Sequence, residues 1–204
     1  MNHLDKAIGD IGSIRMQVAR STEFRGYGPA TLASTSLCAI AAGAGQALWL
    51  PAPSAHIAAY LAIWISTAGV SASLIGVQMR ARTHRVHSGL ANEMIRMAVE
   101  QFLPSAVAGV LLTVAVLRYV PAVVWMLPGL WQLIYCLGVF SSCRFLPRPM
   151  LAAGAWYLAT GLACIAMAGP RALSPWAMAI PYGVGQLLMA GVLFFNSPEA
   201  QDEE

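Results

Sequence analysis

The chain has 204 residues, of which 58% are apolar and only 10% are charged. Water-soluble domains usually carry about 25% charged residues, so this composition excludes a soluble domain and predicts a membrane protein. At roughly 100 to 200 residues per domain, the length leaves no room for a separate soluble catalytic module.

Six charge-free apolar stretches follow one another along the chain. Each is close to the roughly 20 residues that an α-helix needs to cross the hydrocarbon core. The third stretch is short, but Arg118 and Tyr119 can extend it at the headgroup level. We therefore expect an all-α fold, a polytopic membrane helix bundle of six transmembrane helices, with five or seven spans as the alternatives. The stretches are residues 30–50, 57–78, 102–117, 122–142, 150–168 and 175–195.

The segment before the first stretch, residues 1–29, has the pattern of an amphipathic helix followed by a turn. Its apolar residues fall within about 120° of each other at helical spacing, with polar residues opposite. Two glycines and a proline then end the helix at residues 26–29. This helix either lies on the bilayer or its own bundle, or serves docking or dimerisation. The apolar residues are Leu4, Ala7, Ile8, Ile11, Ile14 and Val18.

The basic residues predict the orientation in the membrane. Of the twelve Lys and Arg residues, only Arg118 and Arg171 fall in the turns after the third and fifth stretches. The other ten lie on the opposite side, so the positive-inside rule predicts that both termini are cytoplasmic. All nine acidic residues lie on that side as well, which leaves it near +1 (ten minus nine). We therefore expect no direct nucleic-acid binding, and we expect residues 196–204 to form an acidic cytoplasmic tail.

The cytoplasmic segment 79–101 holds the densest basic stretch of the chain. Within it, Ser88 can cap a helix over residues 89–103 that leads into the third stretch across Pro104. The turns on the outer side are very short, so any large partner must bind to the cytoplasmic pieces. The predicted partner-binding residues are Arg80, Arg82 and Arg85 in this segment, with Arg15 and Arg20 in the amphipathic helix. The partner is either a cytoplasmic protein or a second copy of the chain.

Nothing in the sequence predicts catalysis, a cofactor or a metal. His84 and His87 are three residues apart, but the arginines beside them give a field that repels a cation. The chain lacks a His-Glu-x-x-His motif, paired intramembrane aspartates and a Gly-x-Ser-x-Gly elbow. We therefore expect a non-enzymatic protein.

Amides are the strongest polar groups inside the apolar stretches. We call Gln46, Gln132 and Gln186 the amide seam. The first and last of them end matching Gly-x-Gly-Gln patterns, at residues 43–46 and 183–186. Because small residues let helices approach closely and a glutamine can hydrogen-bond across them, the pattern favours helix packing. A polar lining for a substrate is the alternative.

Four blocks of the chain resemble the recurring blocks of a family of uncharacterised six-span bacterial inner-membrane proteins. They are residues 20–29 (RSTEFRGYGP), 85–90 (RVHSGL), 127–132 (LPGLWQ) and 143–149 (CRFLPRP). The resemblance covers nearly the whole chain. It implies an inner-membrane location and proximity of the gene to those of small winged-helix regulators, which suits a membrane companion that senses a signal and binds a cytoplasmic regulator. The resemblance implies no catalytic residue.

Two functions follow as hypotheses. The first is a non-enzymatic membrane protein, a sensor or regulatory companion, whose cytoplasmic face engages a protein partner. The alternative is a small transporter or carrier for a neutral or apolar solute, with the amide seam as its lining.

Overall fold

The computed structural model describes residues 28–85, 89–142 and 149–195, and their regular secondary structure is entirely helical. This confirms the predicted all-α helical bundle. The predicted amphipathic helix and the acidic tail lie outside the described residues. The helices are α1 (Pro29–Trp49), α2 (Ile57–Arg85), α3 (Gly89–Tyr119), α4 (Leu127–Ser142), α5 (Met150–Ala166) and α6 (Trp176–Phe195), with 3-10 helices at Pro121–Met126 and Gly169–Leu173.

The chain is a multi-pass membrane protein by the length and composition of its helices. Five helical segments of the described residues are long and apolar enough to cross a bilayer. The remaining apolar helix, α5, is shorter at 17 residues. The five segments are Pro29–Trp49, Ile57–Ala81, Glu100–Tyr119, Pro121–Ser142 and Trp176–Phe195.

Among the described helices, α1 and α6 form the most extensive pair. α1 packs along α6, and α4 packs along α5, while α2 flanks α1 and α3 flanks α4. The contacts of α1 with α6 run from Ser36 beside Gly183 to Gly43 beside Ala179, so these two helices are antiparallel. α2 and α3 barely touch each other, and they are the least buried of the five long segments.

The bundle therefore has two distinct ends. We call the end at which α2 finishes and α3 begins the arm end, and the end that carries both 3-10 helices the turn end. At the arm end the backbone N–H of Gly28 donates to Gln78 Oε1 over 2.9 Å. At the turn end the two 3-10 helices pack against each other. One large core cluster lies in each half, and Tyr182 packs against both of them. A smaller cluster of Cys164, Ala172 and Ala177 lies near the turn end.

The fourth apolar stretch is not α-helical throughout. The sequence predicted a helix from residue 122, but Pro121–Met126 forms a 3-10 helix and α4 begins at Leu127. Pro128 has no N–H with which to donate to the carbonyl of Val124. Leu127 donates to that carbonyl instead, in the tighter 3-10 pattern.

The fifth stretch ends two residues earlier than predicted. α5 stops at Ala166, because Ala168 and Gly169 have φ of +45° and +72°. These are left-handed conformations that a right-handed helix does not contain. The following residue, Pro170, has no N–H to continue the helix.

Two helices extend well past the predicted stretches at the arm end. α2 continues to Arg85, and α3 begins at Gly89 and runs through Pro104 without interruption. We call residues 82–85 and 89–99 the arm, because they are helical and lie beyond the membrane-crossing segments. At 1.5 Å per residue, the α3 part of the arm is about 16 Å long.

Candidate functional site

Gln46 ties three parts of the bundle together. Its side chain is fully buried in α1. Nε2 donates to the carbonyl of Leu173 over 2.8 Å, and Oε1 accepts from Trp64 Nε1 over 2.7 Å. One amide thus joins α1 to α2 and to the segment that precedes α6.

Gln132 donates a hydrogen bond to a backbone carbonyl whose usual helical donor is missing because of a proline. Its Nε2, on α4, donates to the carbonyl of Ala177 in α6 over 2.9 Å. Within a helix that carbonyl bonds the N–H four residues on, but residue 181 is a proline and has none. Since no water is present in the hydrocarbon core, a partner from a neighbouring helix is the available replacement.

Gln186 joins α6 to two other helices. Nε2 donates to the hydroxyl of Tyr135 in α4 over 2.8 Å, and Oε1 accepts from Thr35 Oγ1 in α1 over 3.3 Å. The ring of Tyr135 lies against those of Tyr157 and Tyr182, with centroids 4.7 and 5.6 Å away. The third amide of the seam therefore anchors an aromatic cluster in the middle of the bundle.

The three amides do not surround a common space. Their hydrogen-bond partners are different residues at different levels of the bundle. A groove of about 110 Å³ between α3 and α4 is apolar, and a shallow groove runs along the outer face of α2, but no amide of the seam lines either of them. Among the described residues, the amide seam therefore links the helices to one another by hydrogen bonds.

Small residues let α1 and α6 approach closely enough for hydrogen bonds between the two helices. A Cβ at Gly43 would overlap that of Ala179, and one at Gly183 would lie 3.1 Å from Ile40 Cγ1. Ser36 Oγ donates to the carbonyl of Gly183 over 2.7 Å. The two Gly-x-Gly-Gln segments thus lie on helices in direct contact.

Three of the five predicted partner-binding arginines lie near one another in the fold. Arg80 is exposed at the end of the membrane-crossing part of α2. Arg82 and Arg85 follow on the last turns of the same helix, in the arm. Arg15 and Arg20 lie outside the described residues.

The sequence analysis missed the partners of the amides. Trp64, Tyr135 and Thr35 hydrogen-bond to seam residues, yet nothing in their local sequence indicates this. Pro181 is the exception, because a proline inside an apolar stretch predicts a free carbonyl four residues earlier. That signal points to Ala177, though not to Gln132 as its partner.

No further chemistry is grouped at this site. Among the side chains of residues 28–81, 100–142 and 149–195, no three His, Cys, Asp or Glu lie close enough to hold a metal ion. No protein-family model matches the chain, and no curated protein or solved structure matches it. The resemblance to the six-span inner-membrane family therefore remains a prediction based on four sequence blocks.

Proposed function

We propose that the chain is a non-enzymatic six-span protein of a bacterial inner membrane, and that its cytoplasmic face engages a protein partner as a sensor or regulatory companion. The observation that carries this proposal is the arm. It is regular helical structure that extends past the membrane-crossing segments, and α2 leads into it with Arg80, Arg82 and Arg85.

Six spans require that α5 also cross the bilayer. Its 17 residues are at the short end of the range of about 17 to 25 that spanning helices use. α5 packs along α4 and also contacts α6, both of which are long enough to cross. This position inside the bundle supports α5 as the sixth span.

The charges support a cytoplasmic arm end. Residues 80–100 carry four arginines and two glutamates, whereas the turn end has Arg118 and Arg171. Exposed Trp49, Tyr119 and Trp176 ring the turn end, a position typical of aromatic side chains at the headgroup level. By the positive-inside rule, this distribution supports a cytoplasmic arm and cytoplasmic termini.

The amide seam favours this function over the carrier. Of the six polar atoms of the three seam amides, two donate to backbone carbonyls, one donates to the Tyr135 hydroxyl, and two accept from Trp64 and Thr35. These contacts join helices, and no seam amide lines either groove. We retain a carrier for a neutral or apolar solute as the alternative. It predicts that Gln46→Leu or Gln186→Leu abolishes solute flux while the protein remains folded.

The proposed function can be tested by site-specific photo-crosslinking in native membranes. A crosslinker at Glu100, at the base of the arm, should give one discrete adduct that is lost when Arg80, Arg82 and Arg85 are all changed to Glu. The matched control changes Arg118 and Arg171 to Glu at the other end of the bundle, and it should leave the adduct intact. An adduct that persists in the arm variant would contradict the proposal.

A further inference from the structure

A hydrogen bond joins the start of α1 to the end of the membrane-crossing part of α2, at the base of the arm. The backbone N–H of Gly28 donates to Gln78 Oε1 over 2.9 Å, across 50 residues of chain. Gly28 is buried and is the N-cap of α1, where backbone N–H groups have no acceptor within the helix. A buried N–H requires a partner, and Gln78 supplies it from α2.

The same junction contains buried side chains of both helices. Met79 follows Gln78 directly in α2, and Leu32 lies one turn into α1. The two are 8% and 1% exposed and belong to one buried cluster with Met150 of α5. The hydrogen bond therefore lies where α1 and α2 contribute to the same core.

Between this junction and the turn end, α2 has no buried side chain. None of residues 65–78 is buried. α3 adds little support, because it barely touches α2. Buried side chains thus hold α2 at two places, which begin at Trp64 and at Gln78 and lie about 21 Å apart along the helix axis. Besides Met79, the buried residues of α2 within 57–81 are Tyr60, Leu61 and Trp64.

The attachment at the arm end depends on packing and on the Gln78 hydrogen bond. Met79 lies in a membrane-crossing segment. Lipid acyl chains are as apolar as its protein contacts, so its burial adds no hydrophobic driving force. Removal of the hydrogen bond should therefore change the ratio of attached to displaced arm ends about three- to five-fold.

We propose that Gln78 is a positioning residue for the partner surface, and that its bond to Gly28 fixes the base of the arm against the start of α1. Arg80 is exposed two residues after Gln78, and Arg82 and Arg85 follow on the same helix. A binding surface that is formed in only a fraction of the molecules loses apparent affinity in that proportion. This inference rests on the proposed function in so far as these arginines engage a partner.

The first measurement is independent of any partner. Spin labels at Ala81→Cys in α2 and Phe195→Cys in α6, both exposed positions, report the arm-end distance by electron paramagnetic resonance in lipid bilayers. Gln78→Met keeps the length of the side chain and removes the amide oxygen, so it should increase the displaced fraction about three- to five-fold. Gln78→Glu keeps an oxygen that can accept from Gly28 and should retain the wild-type distances.

A second pair of labels is the control at the turn end. Leu48→Cys in α1 and Ala58→Cys in α2, at exposed positions, should show the same distance in both Gln78 variants, because Trp64 still holds that part of α2. An unchanged arm-end distance in Gln78→Met would overturn the proposal. Equal changes at the two ends would also overturn it, because they would show a general loosening of α2.

The second measurement asks whether the position of the arm affects the partner. The adduct from a crosslinker at Glu100 should fall by up to about three- to five-fold in Gln78→Met and remain at the wild-type level in Gln78→Glu. A displaced arm with an unchanged adduct would overturn the positioning role. Absence of an adduct from every variant, the wild type included, would contradict the proposed function, while the distances alone decide whether Gln78 fixes the arm.

Discussion

The polar side chains inside this bundle compensate for interruptions of the helical backbone. Pro181 leaves the carbonyl of Ala177 without its helical donor, and Gln132 supplies one from α4. The carbonyl of Pro181 in turn accepts from Trp156 Nε1 of α5 over 3.0 Å. In a hydrocarbon environment these side-chain hydrogen bonds stabilise the fold, because water is not available there to bind a backbone group that lacks a partner.

At the residue scale, Gln46→Leu should destabilise the bundle. The substitution removes two hydrogen bonds and leaves Trp64 Nε1 and the carbonyl of Leu173 without partners. Measured side-chain hydrogen bonds in membrane bundles average about 0.6 kcal/mol, so we expect a loss of about 1 kcal/mol in the free energy of unfolding. Ser66→Ala is the matched control, since Ser66 is exposed and bonds only its own helix. Equal stability of Gln46→Leu and the wild type would contradict this role.

A second residue-scale prediction concerns Pro181. Pro181→Ala restores an N–H that can donate to the carbonyl of Ala177, so Gln132 is no longer its main donor. Gln132→Leu should therefore destabilise the Pro181→Ala variant less than it destabilises the wild type, by about 0.5 kcal/mol or more in the free energy of unfolding. A double-mutant cycle in mixed micelles measures this difference. Full additivity would show that Gln132 and Pro181 are not linked through Ala177.

At the element scale, the helices of the bundle differ in how closely they are held. α1 and α6 approach so closely that no side chain fits at Gly43. α2 is different, because a Cβ at Gly69 or Gly76 would have no heavy atom within 4 Å. The small residues of α1 thus allow helix contact within the chain, whereas these two glycines of α2 face outward.

This contrast predicts opposite effects for the same substitution. Gly43→Ala should destabilise the bundle by about 1 to 3 kcal/mol, because its Cβ overlaps Ala179 and the helices must separate. Gly69→Ala should be neutral or stabilising by up to about 1 kcal/mol, since alanine favours a helix over glycine. Unfolding free energies of the two variants, measured side by side, test the prediction. Destabilisation by Gly69→Ala equal to that by Gly43→Ala would refute it.

At the scale of the whole molecule, the two ends carry different chemistry. Of the basic residues in the described part of the chain, four lie at the arm end, which has long helices, and two lie at the turn end, which has tight turns, two 3-10 helices and exposed aromatic side chains. The antiparallel pairing of α1 and α6 also places the start of one beside the end of the other. Among the described residues, helical structure beyond the membrane-crossing segments lies at the arm end.

Cysteine labelling tests this asymmetry in the cell. In a cysteine-free background, Ala52→Cys and Arg171→Cys at the turn end should react with a membrane-impermeant reagent applied to spheroplasts. Arg82→Cys in the arm should be protected until the membrane is opened, as the positive-inside rule requires. Reaction of Arg82→Cys in intact spheroplasts would reverse the orientation. Protection of Arg171→Cys alone would exclude α5 as a span.

The sequence by itself determined the fold class and the approximate positions of the membrane-crossing helices. The length of an apolar stretch and its freedom from charge are local properties, and they are sufficient because a membrane-crossing segment must satisfy its own backbone as a helix. The same reasoning located Gln46, Gln132 and Gln186 as the polar groups of these helices. Two helix ends were predicted wrongly. The α-helix of the fourth stretch begins five residues later than predicted, because Pro128 lacks an N–H. α5 ends two residues earlier than predicted, because Ala168 and Gly169 have left-handed conformations.

Only the tertiary structure decided which groups the amides bind and which helices pack together. Gln46 meets Leu173 across 127 residues of chain, and Thr35 meets Gln186 across 151. Such pairs depend on how six helices are ordered and rotated in the bundle, and no periodicity in a single helix encodes that arrangement. The arm lies outside the apolar stretches, yet the sequence predicted its α3 part, because Ser88 can cap a helix over residues 89–103 that leads into the third stretch. The continuation of α2 to Arg85 was not predicted, since residues 80–85 are mostly polar and hydropathy does not distinguish a polar helix from a loop.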